Sequence, residues 1–229
     1  MTTNYPTGGF CDPQFKKIEE IFNQAIESGH EVGASLAIEH KGKLVVSLFG
    51  GHKDQERTSS WEKDTWVNVF SVTKAVTATC IARLIEEGKL DVSKPVSFYW
   101  PEYGCNGKEN TKVSDFLCHR AGAFGFQDGV PNIKWTNWHG FIKALEVQKP
   151  FREPGSSQGY HALTYGWLVG ELIRRVDGRT AGQYFKEEIA EPFGIDFKIG
   201  LDEEDFDNCA DTLMLENSGI GSNSLGLFK

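Results

Sequence analysis

The sequence predicts an α+β fold: an antiparallel sheet flanked by helices, with a mainly helical region after it. Three observations carry this expectation. Two β-rich runs, residues 34–40 and 44–50, flank Lys41-Gly42-Lys43, the pattern of an antiparallel hairpin closed by a short glycine-containing turn. Before them, Phe15, Ile18, Ile21, Phe22, Ala25 and Ile26 recur at helical spacing, so an amphipathic helix packs on that sheet. After them, residues 71–88 and 163–173 are long, largely apolar stretches of helical character.

Composition bounds the class. The chain has 229 residues, 39% of them hydrophobic and 24% charged, enough for one sizeable core or two small ones. A net charge of −8 without any Lys/Arg cluster argues against a nucleic-acid partner. The five cysteines, Cys11, Cys80, Cys105, Cys118 and Cys209, are odd in number and never form a CxxC pair. Reduced thiols in a cytoplasmic setting are therefore expected, with no metal site and no cofactor. The first residues have neither a basic nor an apolar segment of a secretory signal, and no apolar run approaches the ~18 residues of a membrane span.

In chain order, residues 1–10 read as a flexible, polar tail. Asp12 caps a helix with Pro13 in its first turn, ending near Ser28-Gly29. His40 and His52 fall at strand ends, and residues 53–64 form a charged loop. Residues 113–118 are a short helix, closed by His119-Arg120-Ala121-Gly122; His119 reads as structural rather than catalytic. Residues 123–140, with Phe124, Phe126, Trp135 and Trp138, have no clear period, and either line a pocket or lie as lids on the core. In the helix after Tyr160, Gly166 and Gly170 point to close helix contact. A further amphipathic helix is expected over 181–190 and a turn and short strand over 193–200. Residues 11–213 read as the folded domain, and 214–229 as a Ser/Gly/Asn-rich tail.

The stretch with chemistry in it is Val67-Asn68-Val69-Phe70-Ser71-Val72-Thr73-Lys74. A helix starting at Ser71 puts Lys74 one turn on along the same face. The first turn offers unpaired N–H groups and the positive end of the helix dipole to developing negative charge. Lys74 is the only charged residue between Asp64 and Arg83, and among Val72, Ala75, Val76 and Ala78 it is expected to be desolvated and so a competent base. The pattern alone is weak, since about one Ser-x-x-Lys arises by chance in a chain of this size. A second copy, Ser60-Trp61-Glu62-Lys63, lies in the charged loop.

Gly155-Ser156-Ser157-Gln158-Gly159 matches G-x-S-x-G, but two prolines and three charges precede it where a buried strand is needed. No histidine follows His161 to complete a triad, so this is a decoy.

The same region resembles a known family. Pro154-Gly155 and Tyr160-His161-Ala162-Leu163-Thr164-Tyr165-Gly166-Trp167-Leu168-Val169-Gly170 are similar to the second motif region of the β-lactamase-related serine hydrolases. That group includes class C β-lactamases, serine DD-peptidases and family VIII carboxylesterases. Phe70-Ser71-Val72-Thr73-Lys74, residues 84–91, 95–102 and 117–122 agree with it in order, so the resemblance runs from about Phe15 to about Leu213. It implies a β-lactamase/transpeptidase-like fold in which Ser71 forms an acyl-enzyme, Lys74 poises or deprotonates it, and Tyr160 relays the proton to the leaving group. A phenol beside a cationic lysine is shifted toward phenolate, which suits that relay. The Ser71 N–H would supply half of an oxyanion hole. Phe126, Trp135, Trp138 and Ala162 are the expected substrate contacts.

Two departures sharpen the expectation. Where many relatives have Tyr-x-Asn, this chain has Tyr160-His161-Ala162, which favours ester over lactam hydrolysis. The family's third motif, Lys/His-x-Gly on an inner strand, has no match after Tyr160, so the chain reads as the N-terminal part of the fold with an incomplete sheet open to self-association. The expected function is cleavage or transfer of small acyl esters. The alternatives are a catalytically silent fragment with a binding or assembly role and, third, a β-lactamase or D-amino-acid peptidase.

Overall fold

The computed structural model describes residues 5–213, which form two compact units: one from the residues up to Asn68 together with those from Asp202 on, the other spanning Val69–Leu201. The expected tail 214–229 and residues 1–4 lie outside the described residues.

The first unit is a three-stranded antiparallel sheet in the order β1-β3-β2, with β1 at Thr7–Cys11, β2 at Gly33–His40 and β3 at Lys43–Gly51. The hairpin lies where the sequence puts it. Lys41 and Gly42 both have positive φ, 52° and 73°, the two-residue turn whose twist matches that of its strands. An irregularity between Ile38 and Glu39 leaves Val45 as an extra residue on β3. The strand β1 corrects the expectation of a flexible tail over residues 1–10. It pairs with β3 from Thr7↔Gly50 to Cys11↔Val46. Its glycines, which suggested disorder, serve close approach instead. At Gly9, φ is +104° and a Cβ would lie 1.9 Å from the Ser47 carbonyl oxygen, so only glycine fits.

Asp12 accepts the Gln14 N–H and opens a 3₁₀ turn, Pro13–Phe15, that runs into α1 (Lys16–Glu27). Phe22 and Ile26 of α1 bury against Val45, Val46 and Leu48, which gives this unit its own apolar centre. Ile21, expected on the same face, is exposed.

The second unit is helical: α2 (Val72–Glu86), α3 (Val113–Leu117), α4 (Trp138–Val147), α5 (Thr164–Asp177), α6 (Ala181–Phe185) and α7 (Glu191–Phe193). α5 is central. It buries Trp167, Leu168, Val169, Leu172 and Ile173 among Ile81 and Leu84 of α2, Phe141 and Leu145 of α4, and Trp100 and Tyr103. Gly170 makes the predicted close contact, because a Cβ there would stand 2.8 Å from the Trp138 ring. Gly166 does not; nothing lies within 4 Å of its Cβ position.

α5 also carries a buried carboxylate. Glu171 accepts hydrogen bonds from Trp138 Nε1 (2.9 Å), Arg174 Nε (2.8 Å) and Arg175 Nε (2.7 Å). Burial by itself would raise its pKa, but the bonds from Arg174, Trp138 and Arg175 outweigh that and hold it at about 2.

The helix expected over 181–190 departs from α geometry at Lys186–Ala190, a π segment. Pro192 follows, lacks an N–H and crowds the preceding turn, so the chain widens ahead of it. The short strand expected over 193–200 is absent. Ile195 N–H donates to Ala190 O and Phe197 N–H to Ile195 O, so the segment satisfies itself locally. All five cysteines are free.

Candidate active site

Within the helical unit, Ser71 stands at the N-terminal cap of α2, held there by backbone bonds from Val72 N–H to Val69 O and from Thr73 N–H to Phe70 O. Phe70 has φ +44°, a left-handed conformation that costs a non-glycine residue of order 1–3 kcal/mol. The backbone thus turns sharply into the helix at the residue before Ser71.

Two donors converge on Ser71 Oγ: Lys74 Nζ at 3.1 Å and the Tyr160 hydroxyl at 2.7 Å. Lys74 Nζ also donates to the Ala162 carbonyl at 2.9 Å and lies 5.0 Å from the centre of the Tyr160 ring and 5.9 Å from that of Tyr165. The sequence expectation that Lys74 is desolvated by Val72, Ala75, Val76 and Ala78 is corrected. Val72 is 61% exposed, Ala75 is exposed and Lys74 is half-buried. Residues one or two positions from Lys74, Val72, Ala75 and Val76 among them, point to other faces of the helix. What surrounds Lys74 is the 160–165 segment.

The Tyr160 phenol is shifted below the usual tyrosine range, first by its hydrogen bond to Ser71, then by hydrogen bonding to Lys74 and that residue's charge. Ala162, in place of an asparagine, meets Lys74 through its backbone carbonyl. A backbone acceptor does not depend on the side chain, so the substitution leaves the lysine anchored.

The expected aromatic contacts pack around Phe141, Trp167 and Glu171. Phe126 and Trp135 lie against Phe141 and Trp167, with ring centres 5.3–5.9 Å apart, and Trp138 is committed to Glu171. Phe126 and Trp138 are partly buried against the core, while Trp135 is 45% exposed. Ser60 and Lys63 are exposed on their loop, while Trp61 between them is buried and donates to Ser35 Oγ at 2.7 Å.

Two histidines belong to the neighbourhood that the sequence reading left out. From sequence, His119 reads as structural and His161 only as part of a motif. The His119 ring lies 5.0 Å from Tyr160 and 5.2 Å from Tyr165, and its Nδ1 accepts the His161 N–H at 3.1 Å. The only sequence signal was adjacency: His161 follows Tyr160 directly, and His119 closes a segment already singled out. Among the described residues, no group of three or more His, Cys, Asp or Glu could hold a metal ion, and no helix is long and apolar enough to cross a membrane.

A serine at the start of a helix, a lysine one turn on and a tyrosine from a distant segment thus meet at the Ser71 Oγ. In comparison with known proteins, residues 18–224 match the family model described as Beta-lactamase, and the chain belongs to that family. It is 36% identical over 188 residues to the protein named esterase/beta-lactamase LipL of Mycobacterium tuberculosis, covering 82% of this chain and 43% of that one. Among solved structures, a penicillin-binding protein homologue from Caulobacter crescentus superposes with a TM-score of 0.86 at 40% identity, covering 91% of this chain and 56% of that one. A family VIII carboxylesterase does so with a TM-score of 0.84 at 37% identity, covering 91% and 57%. The fold is the β-lactamase/transpeptidase-like one, with an open three-stranded sheet, and the chain spans about half the length of these relatives.

Proposed function

We propose that this chain, the N-terminal portion of the family fold, carries the nucleophile of an esterase-type serine hydrolase that cleaves or transfers small acyl esters through a Ser71 acyl-enzyme. The observation that supports this most is the convergence of Lys74 Nζ and the Tyr160 hydroxyl on Ser71 Oγ. Relatives named esterase and carboxylesterase support the ester class.

In this reading Tyr160 first releases its phenolic proton to solvent, a loss that the positive charge of Lys74 favours; Ser71 Oγ then attacks the acyl carbon while its own proton passes to the Tyr160 phenolate. The carbonyl π electrons move onto oxygen, and the Ser71 N–H at the start of α2 receives that oxyanion. On collapse the leaving alkoxide takes the proton from Tyr160 and departs as an alcohol. Water, or a second alcohol, then attacks the acyl-enzyme with Tyr160 again as base, releasing acid or a new ester and restoring Ser71. No cofactor is required. Ala162 contributes through its carbonyl to Lys74, and a cytoplasmic location is proposed from the unpaired cysteines.

A fluorophosphonate serine probe followed by intact mass and peptide mapping tests the reading. One adduct, on Ser71, is the expected result. No adduct on a folded sample would overturn it in favour of the silent binding role. Nitrocefin turnover matching ester turnover would favour the β-lactamase alternative.

A further inference from the structure

Tyr160 has a packing problem. It is 55% exposed, yet its hydroxyl must stay within hydrogen-bond reach of Ser71. An exposed ring is not fixed by close packing, so its direction must come from the backbone that carries it.

That backbone is pinned on both sides of Tyr160 by imidazoles. His119 accepts twice: its carbonyl takes the Gly159 N–H at 2.9 Å and its Nδ1 takes the His161 N–H at 3.1 Å. His161 is fully buried; its Nδ1 lies 2.7 Å from the Gly159 carbonyl and its Nε2 accepts the Ala123 N–H at 3.2 Å. These partners settle both tautomers. A carbonyl at Nδ1 and an N–H at Nε2 put the His161 proton on Nδ1; an N–H at Nδ1 of His119 puts its proton on Nε2. His119 holds this position at φ +59°, the left-handed conformation found at few non-glycine residues.

We propose that His119 and His161 are positioning residues that clamp Gly159-Tyr160-His161 and so aim the Tyr160 hydroxyl at Ser71, with His119 able to do so only as a neutral Nδ1 acceptor. This rests on the proposed role of Tyr160. Protonated, His119 would turn a donor toward the His161 N–H and break the clamp. The groups facing it are Lys74, Tyr160, Tyr165 and His161. Burial and the positive charge of Lys74 both oppose its protonation.

Two substitutions separate the acceptor from the ring. His119→Phe keeps a ring of similar size and removes the acceptor. His119→Asn keeps an acceptor near the Nδ1 position, tolerates positive φ and cannot titrate near neutral pH. With p-nitrophenyl acetate and the full chain, His119→Phe is expected to lower kcat about 10²-fold with KM within about twofold, as misaimed catalytic groups do. His119→Asn should retain kcat within about threefold and lose any acid limb owed to His119. Equal loss in both variants, or none in either, overturns the clamp.

Histidine ¹⁵N shifts and His161 amide exchange report on the clamp without turnover. The expected tautomers are Nε2–H for His119 and Nδ1–H for His161, with His161 exchange faster in His119→Phe only. An Nδ1–H tautomer at His119 overturns the proposal. A chain that shows the clamp but no Ser71-dependent turnover would refute the esterase reading instead.

Discussion

Ser60 and Lys63 stand in the same spacing as Ser71 and Lys74, and the chain treats the two pairs differently. The first pair is exposed on a loop whose one buried residue, Trp61, is anchored to Ser35. The second opens a helix, follows a left-handed Phe70, and meets Tyr160 and the Ala162 carbonyl from a segment 88 or 89 residues further along the chain. The four-residue pattern is common to both. What differs is a second segment that supplies a third functional group and an anchor for the lysine. A short motif becomes chemically informative when the fold closes another segment over it.

The sharpest way to break this comparison is to delete each serine. Ser71→Ala should lower hydrolysis of p-nitrophenyl acetate by at least about 10³-fold, whereas Ser60→Ala should leave it within about twofold. Equal losses would mean that the surroundings of Ser71 are irrelevant. Next comes the distant partner. Tyr160→Phe removes the hydroxyl on Ser71 and keeps the ring beside Lys74, and should cost about 10²–10⁴-fold in kcat, the range of a lost general acid–base. A Tyr160→Phe enzyme of near wild-type rate would return the site to a simple Ser–Lys pair.

How much of this was legible without coordinates follows from the same contrast. Ser71, Lys74 and Tyr160 stood out because a helix start, an isolated charge and an ordered set of segments all pointed to them. The environment of Lys74 did not, because its neighbours come from residues 160–165 rather than from its own helix. The strand at Thr7–Cys11 was hidden by its glycines, which look like flexibility until Gly9 is seen against the Ser47 carbonyl. Phe126, Trp135 and Trp138 are ambiguous from sequence because aromatic residues suit a pocket and a core lid equally, and their partners Phe141, Trp167 and Glu171 lie on other segments. The two histidines were hidden because their roles depend on a left-handed turn at residue 119 and on tautomers fixed by distant N–H groups.

A smaller effect concerns the helix that follows the second segment. Glu171 on α5 has its side chain buried, while Arg174 and Arg175 reach partly into solvent. Glu171→Gln removes the charge that offsets two arginines, and should destabilise the chain by about 2–4 kcal/mol in urea unfolding, with the partial exposure of the arginines setting it below a fully buried pair. Lys17–Glu20, an exposed pair on α1, should by contrast contribute under about 1 kcal/mol. If both substitutions cost the same, α5 is not the specially held element that the comparison requires.

The last test uses pH to act on one region alone. Burial, and to a lesser degree the neighbouring His119, pulls the His161 pKa down to about 4, against the pull of the Gly159 carbonyl, from an ordinary value of 6.5. Between these values the unfolded chain binds the proton and the folded chain does not. The stability His161 brings is therefore complete above about pH 6.5, declines as pH falls toward 4, and is lost below it. On that linkage about 2 kcal/mol should disappear between pH 8 and about pH 5. Other groups titrate in the same window, so the informative quantity is the difference from His161→Asn, whose unfolding free energy should fall less by that amount. Fluorophosphonate labelling of Ser71 should weaken over the same interval, while exchange protection around Trp61, corrected for the intrinsic pH dependence of amide exchange, should stay unchanged. Parallel loosening of both regions would mean that acid acts on the whole chain and that the Ser71 neighbourhood has no titratable support of its own.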